Sequence, residues 1–147
     1  MAERGRHATR VVLDASVWLK LFIAEPDSVE AATLVEGEDQ HVAPDLLFVE
    51  FANVLWLKRR QGALSATQAE QAVDGLLQLF GVFDIVWPVE LMSDAIDLAI
   101  ELDHPVYDCF YLALAQRLDV PLVTADRAFW RMVRRRRPGA KIRLLGT

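Results

Sequence analysis

Short apolar runs alternate with helix-period segments along the chain, and this alternation constrains the fold more than any other feature. Val11-Val12-Leu13 is a β-branched run ending at Asp14, which reads as a buried strand. His41-Val42-Ala43, Asp84 to Pro88 with Ile85, Val86 and Trp87, Pro121 to Thr124, and Lys141 to Leu145 read as further strands. Helical stretches lie between them. Ser16 to Ala24 places Trp18, Leu21 and Phe22 at helical spacing until Pro26 breaks the pattern. Asp27 or Ser28 caps a second helix to about Val35, with Gly37 as its stop. Pro44 and Asp45 open a long helix that runs to about Arg60 and stops at Gly62. Ser65 with Gln68 forms a capping box for the next, which reaches about Phe80. Ser93 to Leu102, Tyr107 to Leu118 and Phe129 to Arg136 complete the set. Strands alternating with helices predict an α/β fold, a three-layer α/β/α arrangement around a mostly parallel central sheet. With 147 residues and neither repeats nor a low-complexity linker, the chain reads as a single domain over residues 1–147.

Apolar residues make up 53% of the chain and charged residues 25%, which supports a sizeable core and excludes a disordered tail. No uncharged stretch approaches the roughly 20 residues of a membrane-spanning helix. The opening MAERGRHATR has no apolar segment behind it, so no secretory signal is expected. With one cysteine, Cys109, no internal disulfide can form, and a cytoplasmic location is expected. The net charge of −5 hides an asymmetry: from Arg127 onward there are eight basic residues and no acid.

Four carboxylates stand in apolar surroundings. Asp14 ends the first strand, Glu50 interrupts Leu46-Leu47-Phe48-Val49-Glu50-Phe51-Ala52, Asp108 starts a helix with an apolar interior, and Asp126 follows Leu122-Val123-Thr124-Ala125. Parallel sheets place their sites at the carboxyl ends of strands, where Asp14 and Asp126 fall. Each Asp can equally be a helix cap, and Glu50 can pair with an arginine inside the fold. If the four converge, repulsion raises their pKa values, and a divalent cation reverses that effect. Oxygen ligands without histidine or thiol suit Mg²⁺ or Mn²⁺. Ser16 and Thr124 are supporting hydroxyls that can hold metal-bound waters, or make local bonds at element ends.

These segments resemble the PIN domain, specifically the toxin nuclease of VapBC toxin–antitoxin systems. Val12-Leu13-Asp14-Ala15-Ser16-Val17-Trp18-Leu19-Lys20 is similar to the family's opening segment. Leu47 to Leu55 around Glu50, Tyr107 to Ala115 around Asp108, and Leu122 to Phe129 around Asp126 resemble the next three, in the family's order. The resemblance implies a metal-dependent endoribonuclease with Asp14, Glu50, Asp108 and Asp126 as its catalytic acids. By this reading Asp14 and Asp108 contact the metal. Glu50 acts through water or helps activate the nucleophile, and Asp126 belongs to a second site that fills with substrate. The resemblance further implies an RNA substrate, a VapB-like antitoxin that inserts a segment over the site, and a homodimer.

Lys20, Arg127 and Arg131 are candidate phosphate contacts. The Arg134 to Arg137 run is either a phosphate or partner surface or a solvated face. Phe129 and Trp130 fit the core or a base stack, whereas His104, before a proline, reads as structural or incidental rather than a catalytic base, and Cys109 as core. Trp18, Leu21, Phe22, Phe51, Leu55 and Trp56 are mostly core, and any exposed remainder forms a groove for a partner's helix. The alternatives are a PIN-like nuclease of RNA processing without an antitoxin, a non-nuclease phosphoryl-transfer domain, and a non-catalytic binding domain. Against the second, the chain has no Asp two residues after Asp14 and no Gly-rich phosphate loop.

Overall fold

The computed structural model describes residues 10–37 and 41–147. Strand β1 (Val12–Leu13) leads into α1 (Ala15–Phe22), followed by α2 (Ser28–Glu36), β2 (His41–Pro44), α3 (Leu46–Arg60) and α4 (Ala66–Gln78). Then come β3 (Phe83–Val86), α5 (Pro88–Leu102), α6 (Val106–Leu118), β4 (Leu122–Thr124), α7 (Arg127–Arg136) and β5 (Ile142–Leu144). Every strand pairing among the described residues is parallel. The α/β architecture is therefore the one that the alternation predicts.

The sheet differs from a single continuous ladder. Strands β1, β4 and β5 pair in the order β1-β4-β5, and β2 pairs separately with β3. Leu13 lies opposite Val123, and Ala43 opposite Ile85. β1 packs beside β2, but Asp14 turns the chain into α1 at once, and the two strand residues are used on β4. Helix α6 lies against β1, β2 and β4, and α1 against β1 and β4. Helix α5 packs on α6 and α7. Among the described residues, no helix is long and apolar enough to cross a membrane.

Local chemistry explains most boundaries. The Ser65 capping box forms in full: Gln68 N donates to Ser65 Oγ at 3.1 Å, and Ser65 N donates to Gln68 Oε1 at 2.8 Å. Helix α5 starts five residues earlier than its apolar pattern suggests, because Pro88 opens it at the first helical position instead of ending the strand. Asp27 precedes α2 in a left-handed conformation without a side-chain cap bond. The core gathers Leu13, Val17, Trp18, Leu47, Phe51, Leu112, Leu122 and Phe129. Cys109 is a core residue, and so is Phe129, which removes it as a base-stacking group.

Gly75 is a close-packing point between α4 and α1. A Cβ there would lie 2.6 Å from the Phe22 ring, which itself packs edge-on against Phe51 at 5.8 Å. Gly75→Val therefore destabilises the fold by about 1–3 kcal/mol through overpacking, read as a lowered midpoint in thermal or urea unfolding. An unchanged midpoint would show that the Phe22 ring moves aside freely.

Candidate active site

Pairing of β1 with β4 sets the carboxyl ends of both strands side by side, and their last residues build one polar knot. Asp14 is only 3% exposed and caps α1: Oδ1 accepts from Ser16 N at 3.0 Å and from the Ser16 hydroxyl. Thr124, fully buried on β4, also hydrogen-bonds the Asp14 carboxylate through its hydroxyl. Each hydroxyl accepts in turn from the following turn's backbone, Ser16 Oγ from Ala125 N at 2.9 Å and Thr124 Oγ1 from Asp126 N at 3.0 Å. Ser16 and Thr124 thus tie the β4–α7 turn to Asp14, satisfying local bonds and orienting the acid together.

Burial raises the Asp14 carboxyl to about 6, the Ser16 and Thr124 hydrogen bonds pull the other way, and the Asp108 charge adds to the rise. Glu50 projects from α3 and is half-buried. Burial pushes its carboxyl up to about 7, against a hydrogen bond from Tyr111 and with help from the charges of Asp108 and Asp14. Three of the four acids therefore feel one another. Asp108 sits in the first turn of α6, where its Oδ2 accepts from His104 Nε2 at 2.7 Å. Asp126 is exposed and caps α7, its Oδ1 accepting from Phe129 N at 3.0 Å.

A cavity of about 830 Å³ is lined by Ser16, Glu50, Asp108 and Asp126. Lys20, Glu25, Asn53 and Tyr107 also line it. Asp14 lies buried beside Ser16. Among the described residues, no set of three His, Cys, Asp or Glu side chains is gathered closely enough to enclose a metal ion. The donor chemistry still fits a hard divalent cation. Mg²⁺ is commonly bound through one or two carboxylates and keeps several waters. The carboxyls of Asp14 and Glu50, raised first by burial and further by neighbouring acids, are of the kind whose charge a cation offsets.

The basic residues are placed unevenly. Lys20 reaches the cavity wall, but its Nζ donates to Pro26 O at 2.8 Å and pairs with Glu25 at 3.4 Å. Lys58 pairs with the same Glu25 at 2.5 Å. Burial opposes the Glu25 charge, yet Lys58 and Lys20 together hold its carboxyl below the ordinary range. Arg127 and Arg131 are exposed on α7, outside the cavity lining. Part of the arginine run anchors α7 to α5: Arg137 pairs with Glu101 at 2.6 Å, and Arg136 donates to Glu101 O at 3.4 Å. Arg134 covers Trp130 at 5.5 Å.

Sequence reasoning missed Tyr111, Glu25, Asn53 and Tyr107, and it discounted His104. Of the two readings of His104, structural or incidental, the structure favours the first, since its imidazole bonds Asp108 and packs on Phe129 with ring centroids 4.8 Å apart. Its position four residues before Asp108 was the available signal. Tyr111 had none, because its hydroxyl meets a residue 61 positions away.

The PIN domain family model matches residues 11–134. Ribonuclease VapC3 of Pyrobaculum aerophilum is 32% identical over 118 residues, covering 80% of this chain and 90% of that protein. The solved structure of PAE2754 from Pyrobaculum aerophilum superposes with a TM-score of 0.64 at 22% identity, covering 88% of this chain and 83% of the other. A toxin–antitoxin complex from Klebsiella pneumoniae gives 0.57 at 17% identity, covering 80% of this chain and 86% of the other. The parallel strands, the acids at their carboxyl ends and the match over most of the sequence have one reading: the chain belongs to the PIN domain family.

Proposed function

We propose that this chain, a single PIN domain over residues 1–147, is a metal-dependent endoribonuclease acting in the cytoplasm as the toxin of a toxin–antitoxin pair. The observation that carries the reading is one cavity in a PIN domain lined by Glu50, Asp108 and Asp126, with buried Asp14 coupled to the first two. Its relative from Pyrobaculum aerophilum bears the name ribonuclease. Asp14 and Asp108 hold Mg²⁺, with Mn²⁺ as a substitute, and Asp126 with Glu50 serves a second or water-mediated position. When bound, the ion lowers the pKa of a coordinated water and offsets charge on the phosphodiester. Burial leaves Glu50 basic enough to take a proton from an attacking water near neutral pH.

Arg127 and Arg131 contact RNA phosphates beside the site, and Lys20 does so from the cavity wall, its charge shared with Glu25. Tyr107 stands 63% exposed at the cavity and offers a face for base stacking. The exposed remainder of the predicted groove is Trp56 on α3, facing Val73 of α4 across a cleft of about 500 Å³. That cleft receives the antitoxin's helix, as suits a fold shared with a toxin–antitoxin complex. On α5, Val89, Met92, Ile96 and Ile100 form an exposed stripe at helical spacing, while Leu91, Ala95, Leu98 and Leu102 face the core. A second copy covers that stripe in a homodimer.

The test is cleavage of RNA by the purified chain, with fragment 5′ ends sequenced. EDTA should abolish cleavage, Mg²⁺ should restore it, and a small co-encoded protein should suppress it. Cleavage untouched by EDTA would remove the metal reading. A chain with no such neighbour would be a processing nuclease rather than a toxin.

A further inference from the structure

The carboxylates of Glu50 and Asp108 come from different helices and repel one another across the cavity. The charge of Asp108 acts on both Glu50 and Asp14, and that of Asp14 acts on Glu50. A glutamate has three side-chain torsions and open cavity beside it, so repulsion alone would turn it toward solvent. Each acid instead has one oxygen tied to a partner. Tyr111, fully buried, donates its hydroxyl to Glu50 Oε2 at 3.0 Å. His104 donates Nε2–H to Asp108 Oδ2 at 2.7 Å. Among the described residues no other hydrogen bond engages either carboxylate, so the second oxygen of each is left for the cavity.

Both anchors come from one element. His104, Asp108 and Tyr111 follow one another at intervals of four and three, which places them on one face of α6 and the turn that leads into it. His104 is itself fixed at two further points. Its backbone N–H donates to Ala99 O at 3.1 Å at the end of α5, and its ring packs on Phe129 of α7. The Tyr111 ring lies in the core, so its hydroxyl is delivered to Glu50 from a rigid base. We propose that His104 and Tyr111 are positioning residues that hold Asp108 and Glu50 against their mutual repulsion with one oxygen each aimed into the cavity, and so set its affinity for a divalent cation. This rests on the metal reading above. Hydrogen bonds to ligating carboxylates typically govern metal affinity by 10–100-fold.

The experiment is calorimetric titration of the full chain with Mn²⁺, with no RNA present, for the parent, Tyr111→Phe, His104→Ala and His104→Gln. The melting temperature of each metal-free variant is measured beside it. Tyr111→Phe and His104→Ala should bind Mn²⁺ about 10–100-fold more weakly while melting as folded proteins. His104→Gln keeps an N–H donor and should recover part of the loss. A merely structural role would shift melting and leave Mn²⁺ affinity intact once the chain is folded. Should Tyr111→Phe fail to fold, the His104 pair, on a partly exposed side chain, still decides the matter. If the parent binds Mn²⁺ and the folded variants bind it equally well, the anchors are overturned and the metal reading stands. A parent that binds no Mn²⁺ overturns both.

Discussion

Asp108→Asn and Asp14→Asn each lower metal-dependent RNA cleavage by on the order of 10²–10³-fold, the scale at which loss of one electrostatic group in a preorganised site is felt. The asparagine side chain is nearly isosteric and keeps one carbonyl oxygen. In Asp108→Asn that oxygen can still accept from His104, and in Asp14→Asn it can accept from Ser16 N and the Ser16 hydroxyl, so the local structure should survive. What is removed is a negative charge. Asp108 acts electrostatically on both Asp14 and Glu50, so its loss weakens a cation's hold on the whole cluster. RNA binding without metal should be unchanged or slightly tighter, because one repulsive charge against phosphate is gone. The measurement is single-turnover cleavage with and without Mg²⁺, on protein whose parent preparation loses activity in EDTA. Variants that cleave at the parent rate would remove these acids from the chemistry.

The parts of this site that were legible in the sequence are those with a local signature. Asp14 and Asp126 follow short β-branched runs, and parallel pairing of those runs puts them side by side at one end of the sheet. Ser16 and Thr124 lie two residues from these acids, close enough to be singled out. The Thr124 bond to Asp126 N is the local one such an element end offers, whereas the Ser16 bond to Ala125 joins residues 109 positions apart and needed the fold. Glu50 stood out because a carboxylate in an apolar helix must answer for its burial. Its answer, the Tyr111 hydroxyl, comes from another helix and could not be read locally. Lys20 shows the converse. Its sequence position suggested a free phosphate contact, but a loop carboxylate five residues on and Lys58 from α3 share its surroundings. Likewise the arginine run looked like one surface, and part of it is committed to Glu101 at the end of α5. The split of the sheet was illegible because a two-residue strand carries too little pattern to show which edge pairs.

The second large effect is on stability, and its sign is opposite to that of most active-site substitutions. Without metal, the Asp14 carboxyl moves from 3.8 to about 6 on folding, and that of Glu50 from 4.5 to about 7. Between those limits the folded chain holds more protons than the unfolded one. Raising the pH through this window therefore favours unfolding. The contribution is present in full only well below the unfolded values of 3.8 and 4.5, and is lost as pH climbs past the folded ones. Glu25, held below its ordinary range by Lys58 and Lys20, acts in the other direction at the acid end, so parent and variant are best compared at each pH. Asp14→Asn should be more stable than the parent at pH 8 in EDTA by on the order of 2–3 kcal/mol, read as a higher melting point, since Asp14 is almost fully buried and its ionisation then costs the folded state. The gain should shrink as the pH falls toward 4, where the parent's own carboxyl is protonated in the folded state and only about half ionised in the unfolded one. Added Mn²⁺ should raise the parent's melting point at pH 8 and leave that of Asp14→Asn nearly where it was. Calorimetric melting across pH 4–8 reads all three arms. An Asp14→Asn chain that melts below the parent at pH 8 in EDTA would show that the Ser16 and Thr124 hydrogen bonds outweigh the buried charge. In that case the acid would be structurally stabilised, rather than strained in readiness for a cation.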